Sequence, residues 1–576
     1  MSAPDDSISR PLDLAREFAA ASADDWRRTV ADSLGGRRLE DLLVEVCDGV
    51  AVRPLYTADD LPAGGARAVP RATAGWQACQ RCDHPDPAET GRWIAEAARR
   101  GVDGAWLVFD AAARRGLDAW APASAALAVD GVVLSTAGEL RPVLEAVDAA
   151  RAEAFLDGGG NGIALAAAVL AARQLRGPTP GALSGGLGWD PLGALAGDGE
   201  LPYGLERSLE LLADAVAWAD RHGCSVRAAS VSTLPYHMAG ATPVQELAGA
   251  IGTGVEYLRR MTASGAELEA ACGRLVFVVP IGRDLPVGIA TLRALRVMWS
   301  RVVAASGGNP AARVATIHAV TPPRGLTRRD PWVNMLRATV GAFAAIAGGA
   351  DILTVLPFDA ALGHPDAFGR RIAANLHTIL REESHLGRVL DPAGGSYAIE
   401  RLTRDLAEAG WAAFQAIERA GGMAAALLDG GLHRELAAAT RRLAADLAGG
   451  RMPITGVSSH PDRNERPLER PVIARADVLA AAASRPAPPA LDGNLWARLA
   501  AVEQAVEAGR GDGSVLDAAI AALAAGATIG AVAAALRGSG EPTRIAALPA
   551  AREEAALEGR SGPGEALSPT PEAGRG

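Results

Sequence analysis

Short apolar runs alternate with longer amphipathic segments between residue 90 and about residue 420. Apolar residues at helical spacing predict helices over 244–262, 286–304, 332–347 and 397–420. A strand, a crossover helix and another strand, repeated many times, give a parallel sheet. The clearest predicted strands are WLVF at 106–109, VVLS at 132–135, VRAASVS at 226–232, LVFVVP at 275–280, RVATIHAV at 313–320 and DILTVL at 351–356.

Two weaker strands, AEAFLD at 152–157 and ALSGGL at 182–187, bring the number of predicted strands to eight. Eight consecutive strand and helix units close naturally into a barrel. The predicted fold class is therefore α/β, a (β/α)₈ TIM barrel over residues 61–450. An open doubly wound sheet is the structural alternative.

The segments outside the barrel differ in pattern. The lead-in is acidic and amphipathic, and the region after the barrel is dense in Pro and Arg before two Ala-rich helices. The last segment is rich in Pro and Gly and predicts disorder. The expected division is an N-terminal helical arm over 1–60 with helices near 12–34 and 39–47, a linker over 451–540 with helices near 494–508 and 514–537, and a disordered tail over 541–576.

Composition and charge exclude several classes of function. All 57 basic residues are Arg and none is Lys, which excludes a lysine Schiff base and a Walker A phosphate loop. The net charge of −10 argues against general nucleic-acid binding. Neither a signal peptide nor an uninterrupted apolar stretch of membrane-spanning length is present, so no membrane association is expected. Five cysteines, an odd number, favour reduced thiols and a cytoplasmic location.

A Cys-x-x-Cys pair lies near the start of the barrel. Cys79, Cys82 and His84 have a spacing that suits three zinc ligands. The sequence offers neither a second such pair nor an evident fourth ligand. Two reduced, non-ligating thiols are therefore the favoured interpretation, and no metal site is predicted.

Residues 328–423 carry a set of signatures that together resemble the cobalamin-dependent methylmalonyl-CoA mutase family. The resemblance continues more weakly over 50–330 and covers about four-fifths of the chain. The matching signatures are DP-W-N-x-x-R from Asp330 to Arg337, FD-x-AL from Phe358 to Leu362, the RIA-N run from Arg371 to Asn375, the EES triplet from Glu382 to Ser384 and DP-x-GGSY from Asp391 to Tyr397.

The resemblance implies a barrel with an acyl-CoA along its axis and a separate C-terminal domain that presents cobalamin through an Asp-x-His-x-x-Gly motif. That motif is absent here, and the last histidine, His460, lies in SSHPDRN. The expectation is a chain without a cobalamin-binding domain. Adenosylcobalamin would then be bound by a partner subunit, and this chain alone would bind no cofactor.

The positions that carry chemistry in active family members are replaced. Active members have an RPW-T-x-RQY run, and this chain has AGWQACQR over 74–81. Trp76 and Gln80 match, whereas Cys79 replaces the substrate-binding Arg and Arg81 replaces the Tyr beside the radical centre. The resemblance therefore implies a barrel that has lost two of its functional side chains.

The acid-base histidine of the family has moved as well. Aligning SVSTLPYHMAGA (230–241) with the family's SISGYHMQEAGA puts Pro235 at the catalytic position and His237 two residues further on. His237 is only a weak catalytic candidate, because two residues along a strand shift a side chain by about 6–7 Å. Downstream, His318 keeps one residue of an HSQT pattern and is a weak cofactor-binding candidate, with Val320 in place of Gln.

These replacements indicate the small, non-catalytic subunit of a heterodimeric methylmalonyl-CoA mutase, whose homologous catalytic large subunit would be the partner. The holoenzyme interconverts succinyl-CoA and methylmalonyl-CoA by a radical rearrangement. One alternative is a barrel that is itself active with a separate cobalamin-domain protein. Another is a non-catalytic barrel that binds acyl-CoA.

Overall fold

A computed structural model describes residues 21–61, 69–124, 127, 129–177, 184–471, 473–483, 492–509 and 511–558. Twelve strands lie in these ranges. They are β1 Val44–Cys47, β2 Val50–Val52, β3 Gln77–Cys82, β4 Gly104–Val108, β5 Glu153–Asp157, β6 Gly185–Trp189, β7 Glu200–Leu201, β8 Arg227–Ser232, β9 Leu275–Pro280, β10 Ile317–Val320, β11 Ile352–Thr354 and β12 Thr543–Arg544.

The helices of the described ranges are mostly long and amphipathic. They are α1 Ala23–Ser33, α2 Pro87–Ala98, α3 Ala111–Arg114, α4 Arg141–Ala150, α5 Gly162–Gln174, α6 Pro191–Asp198, α7 Leu205–Arg221, α8 Leu234–Met238, α9 Pro243–Ala263, α10 Leu268–Gly273, α11 Leu285–Ala305, α12 Val333–Ala347, α13 Ala367–Thr378, α14 Tyr397–Arg419, α15 Met423–Leu428, α16 Gly431–Ala448, α17 Arg475–Ala483, α18 Gly493–Ala508, α19 Ser514–Ala524, α20 Ile529–Arg537 and α21 Ala555–Glu558.

Eight strands form a closed parallel barrel in the order β3-β4-β5-β6-β8-β9-β10-β11, and β11 pairs with β3 to close it. The predicted (β/α)₈ TIM barrel is confirmed. Alternate residues of each strand point outward to the helices, where they form the main apolar core, or inward to the barrel axis. Within the described residues, no helix is both long and apolar enough to cross a bilayer.

Seven of the eight predicted strands are confirmed, and VVLS at 132–135 is wrong. That run is buried, but Val132 makes only an isolated bridge to Phe109, because β4 is already paired along both edges with β3 and β5. The strand that the apolar pattern missed is β3. Its sequence, QACQRC, alternates polar and small residues and contains no apolar run.

The N-terminal arm differs from its prediction at its second helix. Of the helix predicted at 39–47, residues Leu39–Leu42 form a short 3₁₀ helix, but the second half of the prediction is wrong, because Val44–Cys47 is strand β1, which pairs antiparallel with β2 in a hairpin. Asp48 and Gly49 form the turn, with φ of 46° and 80°, and an Asp-Gly pair favours this left-handed turn geometry. Of the helix predicted over 12–34, α1 is observed, and residues 1–20 lie outside the described residues.

A second layer of helices covers part of the barrel. Helix α14 packs on α9 and α11, and buried Arg293 of α11 forms an ion pair with Glu400 of α14 at 2.6 Å. Helix α19 packs on α5 and α7. The carboxylate of Asp214 on α7 accepts hydrogen bonds from the amides of Gly513 and Leu516 at the start of α19. The helices of the predicted linker are therefore part of the barrel's packing.

The helix predicted over 514–537 is two helices in the structure. It breaks between α19 and α20, where Gly526 adopts φ of 103°. Thr528 then caps the start of α20 by accepting a hydrogen bond from the amide of Ala531. A glycine followed by a capping threonine ends one helix and begins the next.

Residues 543–558, which we call the C-terminal strap, correct the prediction of a disordered tail from residue 541. Strand β12 pairs with β7, and the amides of Leu548 and Ala551 bond to carbonyls that follow β6 and β8. Composition could not show this, because the strap is held by long-range partners of its Glu553 and Glu554 carboxylates, both of which are buried. The rest of the predicted tail, 559–576, lies outside the described residues.

Deleting residues 541–576 should destabilise the chain. Leu548 is buried, and burying one leucine side chain is worth roughly 1.5–3 kcal/mol. The deletion also removes Glu553 from Arg283 and Glu554 from two backbone amides. Denaturant unfolding should show a loss of about 2 kcal/mol or more. A chain that ends at Glu558 keeps all of these contacts and serves as the control. Equal stability of the two truncations would contradict the packing of the strap.

Candidate functional site in the barrel

The axis of the barrel is filled by side chains. Inward-facing residues of six strands form an apolar cluster that is separate from the main core, and every member is at most 7% exposed. We call it the interior cluster. Leu234, at the start of α8, packs against it from the carboxyl end. The members are Cys79, Trp106, Val108, Phe155, Val276, Val278, Val320 and Ile352.

Two aromatic residues are the largest members of the interior cluster. Trp106 and Phe155 are register partners on β4 and β5, so their side chains lie side by side across the axis. The next partner in that row is Gly186 of β6. A Cβ at Gly186 would come within 3.3 Å of the Phe155 ring, so this ring occupies the space that the glycine leaves free. The row is close-packed, as protein cores are.

His318 lies within the interior cluster. Its ring packs at 5.5 Å from Trp106 and 5.6 Å from Phe155, and its Nε2 lies 2.8 Å from the Thr354 hydroxyl. Burial lowers the pKa of His318 to about 3, so the imidazole is neutral at physiological pH. This histidine is fixed between two rings and already has a hydrogen-bond partner.

Charged groups lie above the rings, at the carboxyl end of the strands. Arg81 stacks over Trp106 at 5.3 Å and pairs with Asp83 at 2.6 Å. Burial acts to lower the pKa of Arg81, but the neighbouring carboxylates, Asp83 first, outweigh it and raise the pKa. Burial raises the pKa of Asp157 on β5, although Arg114 and Arg81 oppose the shift. Arg81 therefore belongs to an ion-pair network that covers the filled axis.

His237 lies away from the interior cluster. Its Nδ1 is 2.7 Å from Glu246 Oε1 on α9, and its carbonyl accepts a hydrogen bond from Arg324. Burial, followed by the charge of Arg324, lowers the pKa of His237 well below its usual value. Burial raises the pKa of Glu246 to about 8. The two groups therefore form a neutral pair at pH 7 in which the Glu246 carboxyl donates to the imidazole.

Pro235, which the resemblance predicts at the family's acid-base position, lies in the first turn of α8 and offers no side-chain donor or acceptor. Of the residues that the sequence singled out, the structure brings Cys79, Arg81 and His318 together around Trp106. It places Pro235 and His237 in the α8 turn, with His237 directed to Glu246. The constellation of an acid, a base and a substrate-binding arginine is not assembled among these residues.

The Cys-x-x-Cys pair is not arranged for a metal. Cys79 belongs to the interior cluster, whereas Cys82 belongs to the main core on the other face of β3. Burial raises the pKa of Cys79 to about 12 and that of Cys82 further, which disfavours the thiolate that binds metals. His84 packs against Trp93. Within the part of the chain that the structure describes, no group of three His, Cys, Asp or Glu residues could hold a metal ion.

A cavity of about 600 Å³ lies beside the axis, between the segments that follow β8, β9 and β10. None of its lining residues belongs to the interior cluster. Glu553 of the C-terminal strap reaches its wall and pairs there with Arg283 at 2.5 Å. His237 and Glu246 line the same cavity. The strap therefore lies along this end of the barrel, against the segments that follow β6, β8, β9 and β10.

Comparison with known proteins agrees with the resemblance seen in the motifs. The family model for methylmalonyl-CoA mutase matches residues 65–541. The chain belongs to the methylmalonyl-CoA mutase family. It is 41% identical to a methylmalonyl-CoA mutase small subunit of Streptomyces virginiae over 81% of this chain and 74% of the relative. It is 34% identical to the small subunit of Propionibacterium freudenreichii subsp. shermanii over 86% and 75%. A methylmalonyl-CoA mutase of Escherichia coli is 30% identical over 76% and 64%.

Sequence reasoning missed the residues that fill the axis, Trp106 and Phe155. All five residues of β4 are buried, so its hydropathy does not show which of them face inward. Only the register of β4 with its neighbours decides that. The sequence contained one signal, a pair of bulky aromatic residues on two adjacent strands. In the family that the motifs resemble, the barrel axis at these strands is expected to hold a ligand.

The buried pair of His237 and Glu246 gives a pH prediction. The pKa of Glu246 rises from 4.5 to about 8 on folding, so the folded state retains a proton that the unfolded chain loses. The stabilisation is present below pH 4.5 and is lost as the pH rises to about 8. Glu246→Gln keeps a donor for His237 but cannot titrate. Between pH 5 and 8.5, wild type should lose at least about 1 kcal/mol more unfolding free energy than this variant.

Urea unfolding at several pH values, carried out in parallel on the two proteins, measures this difference. Other buried carboxyls with raised pKa, such as Asp190 at about 6, contribute equally to both proteins and cancel. Identical pH profiles would show that the pKa of Glu246 is not raised in the folded chain and would contradict the neutral pair.

Proposed function

We propose that this chain is a non-catalytic small subunit of methylmalonyl-CoA mutase that supports a homologous catalytic large subunit. The holoenzyme would interconvert succinyl-CoA and methylmalonyl-CoA, with adenosylcobalamin bound by the large subunit. Membership of the family and the small-subunit names of relatives at 41% and 34% identity support this proposal. Five buried cysteines, none of which forms a disulfide bond in the described residues, are in keeping with a cytoplasmic location.

The observation that carries the proposal is the filled axis. A substrate chain that threaded the barrel would have to displace Trp106, Phe155 and His318, all at most 5% exposed. Removing an aromatic side chain from a packed core costs about 3–5 kcal/mol, and expelling one to solvent is similarly unfavourable. The barrel interior is thus used for its own packing, and this packing argues against an acyl-CoA along the axis.

The replaced family positions support the same proposal. Cys79 is buried with a raised pKa and cannot replace a substrate-binding guanidinium. Arg81 is committed to Asp83 and to the face of Trp106. Pro235 has no side-chain proton to transfer. His237, the nearest histidine in sequence, bonds to Glu246. Because each position is occupied by a side chain with a different role, a single substitution would not restore the site.

The described residues do not fit adenosylcobalamin at the carboxyl end of the strands. The C-terminal strap crosses that end, with Glu553 and Glu554 buried against Arg283 and the backbone of Arg328 and Arg329. His318, the weak cofactor candidate, is enclosed by aromatic rings and bonded to a hydroxyl. The residues of this chain hold the barrel closed instead of presenting a ligand to cobalt.

Of the alternatives, an acyl-CoA-binding barrel would require an open axis, which the rings of Trp106 and Phe155 occupy. A barrel that works with a separate cobalamin-domain protein would in addition require an acid-base group where Pro235 lies. No observation in the structure favours either alternative over a supporting subunit.

Reconstitution tests the proposal. The lone chain should form no methylmalonyl-CoA from succinyl-CoA and should retain no cobalt after gel filtration, with or without an added cobalamin-domain protein. Mixing it with the catalytic large subunit of the same organism should give a stable complex and turnover. In that complex His237→Gln should leave kcat within about twofold, because His237 is bonded to Glu246 and takes no part in the proposed chemistry. Loss of a general acid or base would instead lower kcat 10²–10⁴-fold.

Three results would contradict the proposal. Turnover by the lone chain with a cobalamin-domain protein would favour the self-sufficient barrel. A hundredfold loss of kcat in a folded His237→Gln complex would make this barrel catalytic. Failure of the wild-type chain to bind the large subunit would remove the supporting role.

A further inference from the structure

Helix α12 has an apolar outer face. Trp332 immediately precedes the helix, and Leu336, Val340 and Phe343 follow at intervals of four, four and three residues, which places all four on one side. They are 47%, 67%, 37% and 37% exposed, respectively. The outward stripe of a barrel helix is ordinarily polar, so a continuous apolar stripe marks a contact surface.

The apolar surface continues beyond α12. The Trp332 ring stacks on Phe358 at 5.0 Å, and Phe358 contacts Phe368, the second residue of α13, at 6.1 Å. Phe368 is 41% exposed, whereas Phe358 is buried beneath the two outer rings. We call the exposed surface of Trp332, Leu336, Val340, Phe343 and Phe368 the α12 patch. The buried ring of Phe358 fixes the position of its two outer aromatics.

Other barrel helices are covered by the chain's own second layer. Helix α14 packs on α9 and α11, and α19 packs on α5 and α7. Helix α12 instead packs mainly on its neighbour α11 and on β11. The second layer therefore covers the outer faces of these barrel helices. The outer face of α12 has no such cover in the described part of this chain.

The size of the α12 patch suits the centre of a protein interface. Side chains of this size carry roughly 150–250 Å² each, so five that are two-fifths to two-thirds exposed present on the order of 500 Å². That is near the upper limit for an apolar patch on a monomer. A stable interface buries about 800 Å² on each partner, so the patch and a polar rim would account for one side.

The rim of the α12 patch is basic. Arg328 and Arg329 precede Trp332, and Arg371 stacks over Phe368 at 5.2 Å. All three are exposed, and among the described residues none has a carboxylate partner in an ion pair. A second copy docking symmetrically on this face would bring arginines against arginines. A partner with an apolar helix face and a carboxylate rim would satisfy both features.

We propose that the α12 patch is the surface on which the homologous catalytic subunit docks, a proposal that rests on the function proposed above. The first residues of the patch, Trp332 and Leu336, lie within the family signature Asp330 to Arg337, and the buried Phe358 beneath the patch begins the signature Phe358 to Leu362. The catalytic subunit presents an apolar face to the stripe of α12 and carboxylates to the three arginines. Docking there leaves the C-terminal strap and the filled axis unchanged.

Two negative charges placed in the centre of the α12 patch test whether the catalytic subunit docks there. The double variant Leu336→Glu with Val340→Glu keeps the helix, because both positions face solvent. Binding of the catalytic large subunit of the same organism, measured by biolayer interferometry, should weaken at least about 100-fold, since central apolar contacts dominate interface affinity. The control variant, Leu428→Glu with Trp496→Glu, alters two equally exposed apolar residues elsewhere and should stay within about threefold.

The outcomes separate the two proposals. If wild type does not bind the large subunit, the proposed function fails and the docking surface with it. If wild type and the α12 variant bind equally, the surface is wrong and the proposed function stands. If sedimentation shows that the lone wild-type chain is a dimer and the α12 variant a monomer, a second copy occupies the patch and the proposal is overturned. Unchanged melting temperature of the variants confirms that they are folded.

Discussion

The close packing of Trp106, Phe155 and His318 inside the barrel is the constraint on which the rest of the structure depends. A closed eight-stranded barrel leaves an axial space that must be filled by side chains or by a ligand. Here the rings fill it, and the neutral imidazole is satisfied by Thr354. Since a ring cannot leave this core without a large loss of stability, the rings hold the interior for packing, and this supports the proposal that the barrel of this chain is not catalytic.

The groups outside the barrel interior contact other parts of the same chain. Arg81 and Asp83 form an ion pair above the rings, and the C-terminal strap crosses the mouth with Glu553 paired to Arg283. These charges are matched within the chain and are not directed to a ligand. The second helix layer, joined by Arg293 and Glu400, covers much of the helix ring. In the described part of the chain an apolar face on α12 stays exposed, and we propose it as the docking surface for a partner.

The barrel was predictable from sequence because alternating strands and helices have few stable arrangements. Strand β3 was missed because its inward residues include Arg81, whose charge is compensated by Asp83 and by Trp106 from a neighbouring strand. The strap was missed for a similar reason, since Glu553 finds its partner Arg283 about half the chain away. Such pairings are decided by tertiary structure, and neither composition nor periodicity contains them.

The candidate site was partly predictable. The motif comparison predicts that Cys79, Arg81 and Pro235 replace functional residues of the family, and the structure shows surroundings in which each is compatible with the fold. It could not show that the axis is filled, because β4 is apolar throughout and its inward face depends on its register with β5. It also could not pair His237 with Glu246, which lies nine residues on in the next helix.

The stoichiometry of acyl-CoA binding tests the filled axis most directly. Acetyl-CoA, which has no carbon skeleton to rearrange in this reaction, can be titrated calorimetrically into the lone chain and into its purified complex with the catalytic large subunit. A filled axis predicts no binding to the lone chain and one site for each pair of subunits. Two sites for each pair, or one site on the lone chain, would show that the barrel of this chain admits an acyl-CoA and would contradict its role as a closed scaffold.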